Sequence, residues 1–190
     1  MPRRHLALAT GLIAVIFIPA MSRAGPIDEV GVGAYGHDVN DLGRGKESNT
    51  EDLQLEVDTA RPPILRLIGA PRLNAFVSIN SARESDFAGA GLVWDRRLLG
   101  QLYGSLDVGA GYTDGVLGPP TDPAAAAATE RRRLYLGSRI LFREAIGVDW
   151  RFSPYWAVGA QFWHASNGRV IGNNFNESIN DAGLRLGYRF

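Results

Sequence analysis

Apolar and polar side chains alternate along most of the chain beyond residue 26. In LQLEVDT, Leu53, Leu55 and Val57 fall on one face and Gln54, Glu56 and Asp58 on the other. Leu102, Leu106, Val108 and Ala110 lie opposite Gln101, Tyr103, Ser105 and Asp107; Leu134, Leu136, Ile140 and Phe142 lie opposite Tyr135, Arg139 and Arg143. Ile146, Val148, Trp150 and Phe152 are set against Asp149 and Arg151. A repeat of two is that of a β-strand, so the pattern predicts strands at 27–37, 51–59, 64–80, 86–94, 100–112, 132–152, 155–166 and 177–190. A break of the sixth at Arg143 to Ala145 is the alternative there. Pro62-Pro63, Asp95 to Leu99 and Ser153-Pro154 read as short turns, and 38–50, 81–85, 113–131 and 167–176 as the alternate, mostly longer connections.

Alternation is common to soluble sandwiches and membrane barrels, and the last segment separates them. DAGLRLGYRF puts Ala182, Leu184, Leu186, Tyr188 and Phe190 on one face and Asp181, Gly183, Arg185, Gly187 and Arg189 on the other. Charges on the inner face and a terminal aromatic match the last strand of outer-membrane barrels, whose apolar face meets lipid. The expectation is an all-β fold, an eight-stranded antiparallel transmembrane β-barrel of outer-membrane type over residues 25–190. An interior of that size is filled by side chains and makes no wide pore. In such barrels long loops face outward, which makes GPPTDPAAAAATERRR, 118–133, an exposed loop with a short helical turn at its alanines. A soluble exported β-domain is the alternative architecture.

The beginning of the chain supports export. Two arginines precede an apolar run from Leu6 to Ala20, followed by Ser22 and Ala24 as small residues before a cleavage point, so residues 1–24 read as a signal peptide. The run is shorter than the ~20 residues of a spanning helix. Its removal takes Arg3, Arg4 and Arg23 from the 20 basic residues, leaving 17 against 20 acidic ones, a balance that points away from nucleic acid. No cysteine is present, so no disulfide scaffold holds the fold.

Candidate chemistry lies where the alternation stops, in QFWHASNGRVIGNNFNES, 161–178. Trp156, Val158, Ala160, Phe162, His164 and Ser166 share one parity, so the histidine and serine continue the lipid-facing stripe at the outer end of their strand. Two positions apart on one face, with Cβ atoms ~7 Å apart, an imidazole and a hydroxyl can meet. A serine nucleophile needs such a base to take its proton, and Asn167 next to it could donate to an oxyanion. The competing reading of the pair is a polar interfacial His and Ser bonded to loop backbone.

His164-Ala165-Ser166-Asn167, the Asn-rich loop after it and a final strand ending in GYRF resemble the PagL-type lipid A 3-O-deacylases, eight-stranded outer-membrane barrels with a His-x-Ser-Asn signature. EVGVGAYGHD, 29–38, also has a familial look. The resemblance implies a serine esterase that removes the acyl chain at the 3-position of lipid A, with His164 as base, Ser166 as nucleophile and Asn167 in the oxyanion hole. It implies no cofactor, and lipid A or lipopolysaccharide in the outer membrane as partner; a homodimer is left open. The family's third catalytic residue is a Glu preceded by an Asn four positions earlier. Asn173 and Glu177 fit that spacing, but Glu177 has lumen parity and reaches His164 only through a bulge; Asn176 and Asn180 fit equally, and Asn180 has outward parity. Glu177 is favoured for its charge.

Arg131, Arg132 and Arg133 are candidate contacts for substrate phosphates, with a solvated loop end as the plainer reading. His37 reads as a surface histidine, and Asp107, Asp149, Arg139 and Arg143 as lumen ion pairs. With two histidines past residue 24 and no cysteine, no metal site is expected. The rival function is a non-enzymatic small outer-membrane barrel serving membrane integrity or adhesion.

Overall fold

Eight antiparallel strands follow from the alternating segments: β1 (Ile27–Gly36), β2 (Glu51–Thr59), β3 (Arg72–Asn80), β4 (Phe87–Leu99), β5 (Leu102–Thr113), β6 (Ile140–Trp150), β7 (Trp156–Ser166) and β8 (Ile179–Arg189). The computed structural model describes residues 26–40 and 45–190; the expected signal peptide lies outside the described residues. Each strand pairs with its neighbours in sequence, and β1 pairs with β8 from Glu29↔Arg189 to Gly36↔Ala182, so the sheet closes into a barrel with no free edge. Closure sends one parity outward everywhere. Leu53, Leu55, Ile79, Leu106, Ile146, Val148, Phe162 and Leu184 are exposed on the outside, an apolar belt of the kind that meets lipid in outer-membrane barrels. Trp150, Phe152, Tyr155, Trp156, Tyr188 and Phe190 cluster at the end of the short connections, with Trp156 and Tyr188 rings 4.9 Å apart, as an interfacial aromatic girdle.

The other parity fills the lumen, where charges must be paired because burial strips them of water. Arg185 donates to both carboxylate oxygens of Asp149 at 2.9 Å and to Glu56 at 2.6 Å; Arg72 bridges Glu29 (2.9 Å) and Asp58 (3.0 Å). Arg143 pairs with Asp107 and lies 4.3 Å from the Phe76 ring centroid. Above this layer, toward the long loops, the interior turns apolar with Tyr35, Phe87, Leu136, Trp163 and Ile179.

Several expectations are corrected. Residues 63–68 form a 3-10 helix instead of the start of β3, because Pro62 and Pro63 lack the N–H groups a strand needs, and Leu67 there is exposed. Asp95–Leu99 is the end of β4, paired through Arg97↔Tyr103, with the turn at Gly100. The sixth strand starts at Ile140 and runs unbroken through Arg143–Ala145; Leu134 and Leu136 are buried beneath loops and do not face lipid. Pro123–Glu130 is an α-helix, α1, capped by Asp122, whose side chain accepts from Ala125 N–H at 2.8 Å. Arg139 donates to the carbonyls of Thr113 and Gly115, not to an acid.

Candidate active site

β7 ends at Ser166, and the register of β7 with β8 runs without a shift from Trp156↔Tyr188 to Ala165↔Ile179. That register sets His164 directly opposite Asn180. His164 Nε2 lies 3.1 Å from Ser166 Oγ, and His164 Nδ1 lies 2.7 Å from Asn180 Oδ1. The His–Ser pair is half-buried on the outer face, at the barrel end that carries the long loops, with Glu144 of β6 on the other side of His164. The Asn180 amide donates to Asn40 Oδ1 (2.6 Å) and Ser178 Oγ (3.0 Å), so both its hydrogens are occupied and its oxygen is the end that meets the imidazole. His164 therefore donates from Nδ1 and presents Nε2 as the acceptor for the Ser166 hydroxyl.

Glu177, the favoured third residue, is not at this histidine. It precedes β8 and lies in the loop, so strand parity does not apply to it. Its carboxylate accepts from Tyr135 N–H at 2.7 Å and pairs with Lys46, while its own N–H donates to Tyr135 O at 3.0 Å. Glu177 thereby clips the 133–136 segment to the loop before β8.

Asn167 departs from expectation in a different way. Its Nδ2 donates to Leu136 O (2.9 Å) and Phe175 O (2.7 Å), and its Oδ1 accepts from Arg169 N–H (2.7 Å). With both amide hydrogens engaged and the side chain fully buried, this group holds the loops together and is no free oxyanion donor. Gly137 makes that clasp possible: its φ is +73°, and a Cβ there would stand 1.8 Å from Phe175 O and 2.4 Å from Asn167 Nδ2. Gly137→Ala is expected to leave the barrel folded but to open this clasp, since left-handed backbone alone costs ~1–2 kcal/mol for a residue with Cβ. Faster proteolysis of the 167–175 loop in the purified, folded variant is the check.

Of the three arginines, Arg133 pairs with Glu47 and Glu84 at 2.9 Å each, whereas Arg131 and Arg132 are exposed after α1. His37, expected at the surface, is fully buried: Nε2 lies 3.2 Å from Glu47, and Nδ1 lies 3.3 Å from both Asp52 and Asp181. Burial by itself would lower its pKa, but the facing carboxylates of Asp181, Asp52 and Glu47 overcome this and raise it to about 12. The donor atoms of His37, Asp52 and Asp181 lie within 4.8 Å of one another, a spacing a metal ion could use, but the protonated imidazole itself supplies the positive charge among the acids. Asp38, beside it, has its pKa raised by burial against the opposing Glu47 N–H bond and His37 charge.

Residues 85–189 match the family described as lipid A 3-O-deacylase (PagL). The chain belongs to this family. No curated protein matches it. Among solved structures, the outer membrane enzyme PagL is 15% identical, with a TM-score of 0.58 over 85% of this chain and 99% of that one. Neisserial surface protein A (14% identical, TM-score 0.54, 85% and 96% covered) and a de novo designed transmembrane β-barrel (14%, 0.52, 90% and 100%) share the fold. As a PagL-family barrel, this is a protein of the Gram-negative outer membrane.

Sequence reasoning missed Asn40 and Ser178, which bond the Asn180 amide, and Asp38, which bonds Asn40. The only local signal was their polar, turn-forming character; the partnership of Asn40 with position 180 arises from the closure of β1 on β8.

Proposed function

We propose that this PagL-family protein is a serine esterase that hydrolyses the 3-position acyl ester of lipid A in the outer leaflet, with Ser166 as nucleophile, His164 as base and Asn180 as the residue orienting the histidine. The observation that carries this reading is the unbroken chain from Ser166 Oγ to His164 to Asn180 Oδ1 on the lipid-facing side of the barrel. Ser166 Oγ attacks the ester carbonyl while His164 Nε2 takes the hydroxyl proton; the carbonyl oxygen becomes the oxyanion. The backbone turns left-handed at Gly168 and Arg169 directly after Ser166-Asn167, and in this reading a main-chain N–H of that turn takes the oxyanion role expected of the Asn167 side chain. As the bond to the sugar oxygen breaks, His164 returns the proton to that oxygen as the 3-hydroxyl. Water then attacks the acyl-serine, giving up a proton to His164, and the fatty acid leaves as Ser166 regains its hydroxyl.

A groove of about 390 Å³ supports lateral entry of the acyl chain. Ile146, Val148 and Phe162 flank its floor at Ala160, Ala182 and Gly183. Phe162 and Ala182 are a cross-strand pair one step along from His164 and Asn180, ~7 Å away on the same face. The small residues leave the depression that their neighbours border. Ala160→Phe is expected to fill it and reduce kcat/KM for long-chain esters roughly tenfold, while short-chain esters are spared; hydrolysis of an acyl-length series checks this. The direct test of the mechanism treats the detergent-solubilised protein with a sulfonyl fluoride. Mass spectrometry should find Ser166 modified and lipid A no longer losing one hydroxyacyl chain, whereas full turnover by protein modified at Ser166 would refute the serine mechanism.

A further inference from the structure

An amide at position 180 can meet a histidine with either end. With its oxygen toward the ring it accepts the Nδ1 proton and frees Nε2 to act as a base; with its nitrogen toward the ring it selects the opposite tautomer, in which Nε2 carries the proton. In Ser-His-Asp enzymes, replacing the acid by Asn produces that wrong tautomer and lowers kcat by ~10⁴. An Asn-based site works only if something fixes the amide's direction.

We infer that Asp38 and Asn40 are positioning residues that fix the direction of the Asn180 amide and, through it, the tautomer of His164. The inference rests on the Ser166–His164 site proposed above. Its starting point is a carboxylate, which has no wrong end. Asp38 Oδ2 accepts from Glu47 N–H at 3.1 Å, and Asp38 Oδ1 accepts from Asn40 Nδ2 at 2.6 Å. Asn40 must therefore turn its own oxygen toward position 180, where it accepts from Asn180 Nδ2 at 2.6 Å. Asn180 in turn presents its oxygen to His164. Each bond sets the direction of the next, from Asp38 to the serine hydroxyl.

The anchor is held in place. Asp38 N–H donates to Asp181 Oδ1 at 3.1 Å and Val39 N–H to Asn180 O at 2.7 Å, which ties the 38–40 segment to the start of β8. Gly45 closes over Asp38 so tightly that a Cβ there would lie 2.2 Å from its carboxylate and 2.3 Å from its carbonyl oxygen. The same polarity accounts for an amide at position 180 where the family resemblance implies an acid: a carboxylate there would face Asn40 Oδ1, acceptor against acceptor.

A double-mutant cycle tests the inference. In Asp38→Asn, Glu47 N–H still claims the side-chain oxygen, so the new amide nitrogen points at Asn40; Asn40 and then Asn180 reverse, and the histidine meets the wrong end. Asn180→Asp alone puts acceptor against acceptor. The double variant Asp38→Asn/Asn180→Asp reverses the 38–40 and 40–180 bonds consistently and again ends on an oxygen at His164. With deacylation of lipid A in detergent as the readout and folding checked by migration on unheated gels, Asp38→Asn should lower kcat about 10²-fold or more, with KM within about twofold. Asn180→Asp should fall at least about tenfold, and the double variant should exceed both. Should Asp38→Asn fail to fold, Asn40→Leu takes its place: it releases the amide at 180 and lowers kcat, and adding Asn180→Asp, whose carboxylate has no wrong end, restores it. Independent losses in either cycle, or Asp38→Asn with wild-type kcat, overturn the inference. Ser166→Ala run alongside keeps the two levels apart: if it stays active the site itself is wrong, whereas if it is dead and the cycle is additive only the positioning role falls.

Discussion

Replacing Ser166 by Ala is expected to lower lipid A deacylation by about 10⁶-fold, the scale of loss when a triad nucleophile is removed. The hydroxyl is the only group that can form the acyl intermediate in the proposed mechanism, and His164 Nε2 is bonded to it at 3.1 Å. Without Oγ the imidazole could at best activate water from a poorer position. His164→Ala should cost nearly as much, and the double variant hardly more than either, because nucleophile and base act as one unit. Mass spectrometry of lipid A from cells producing each chain is the readout, with membrane insertion confirmed for every variant. Ser166→Ala cells whose lipid A still lost a hydroxyacyl chain would show that a different residue carries the attack.

The face of His164 and Ser166 was legible because strand parity is local: five residues of β7 suffice to assign it. Parity also spoke for Asn180. It spoke against Glu177, whose charge alone favoured it and which lies two residues before the start of β8 at Ile179. Leu134 and Leu136 illustrate a second limit. Alternation reports that one face is apolar, and it cannot say whether lipid or a covering loop buries that face. Covering loops bury it here, beneath the contacts of Glu177 and Asn167. Residues 63–68 illustrate a third, since ILRLI reads as strand until the paired prolines are weighed as helix starters. What no local reading could reach is the set of contacts made by barrel closure. Asn40 and Asn180 stand 140 positions apart in sequence. Without the β1–β8 pairing there is no reason to connect them.

The same closure explains why His37→Leu is expected to destabilise the loop-bearing end of the barrel by about 3–5 kcal/mol, the cost of leaving buried charge without its partner. β1, β2 and β8 bring His37, Asp52 and Asp181 to one buried point, and Glu47 joins from the first long loop. After substitution Glu47 keeps Arg133, but Asp52 and Asp181 retain only neutral donors, such as Ser78 for Asp52 and Asp38 N–H for Asp181. The pH dependence distinguishes this loss from a packing defect. In the wild type, the His37 pKa is raised from an ordinary 6.5 to about 12, so its contribution is complete below the unfolded value and disappears only as pH rises through about 12. Glu47 is held below its ordinary range, chiefly by His37 against the burial that would raise it, so its contribution is present above the unfolded value and lost as pH falls through the folded one. In the variant, the facing carboxylates must either stay protonated or repel, while the unfolded chain ionises them freely; its deficit should therefore be small near pH 4 and larger near pH 6.5, where the carboxylates of the unfolded chain are ionised and the His37 contribution of the wild type is still complete. Denaturant midpoints of wild type and variant at those two pH values measure it. A deficit independent of pH would mean that His37 serves only as packing. Deacylation should fall with stability, because Asp181 that His37 holds also accepts the Asp38 N–H from which the hydrogen-bond chain to Ser166 starts.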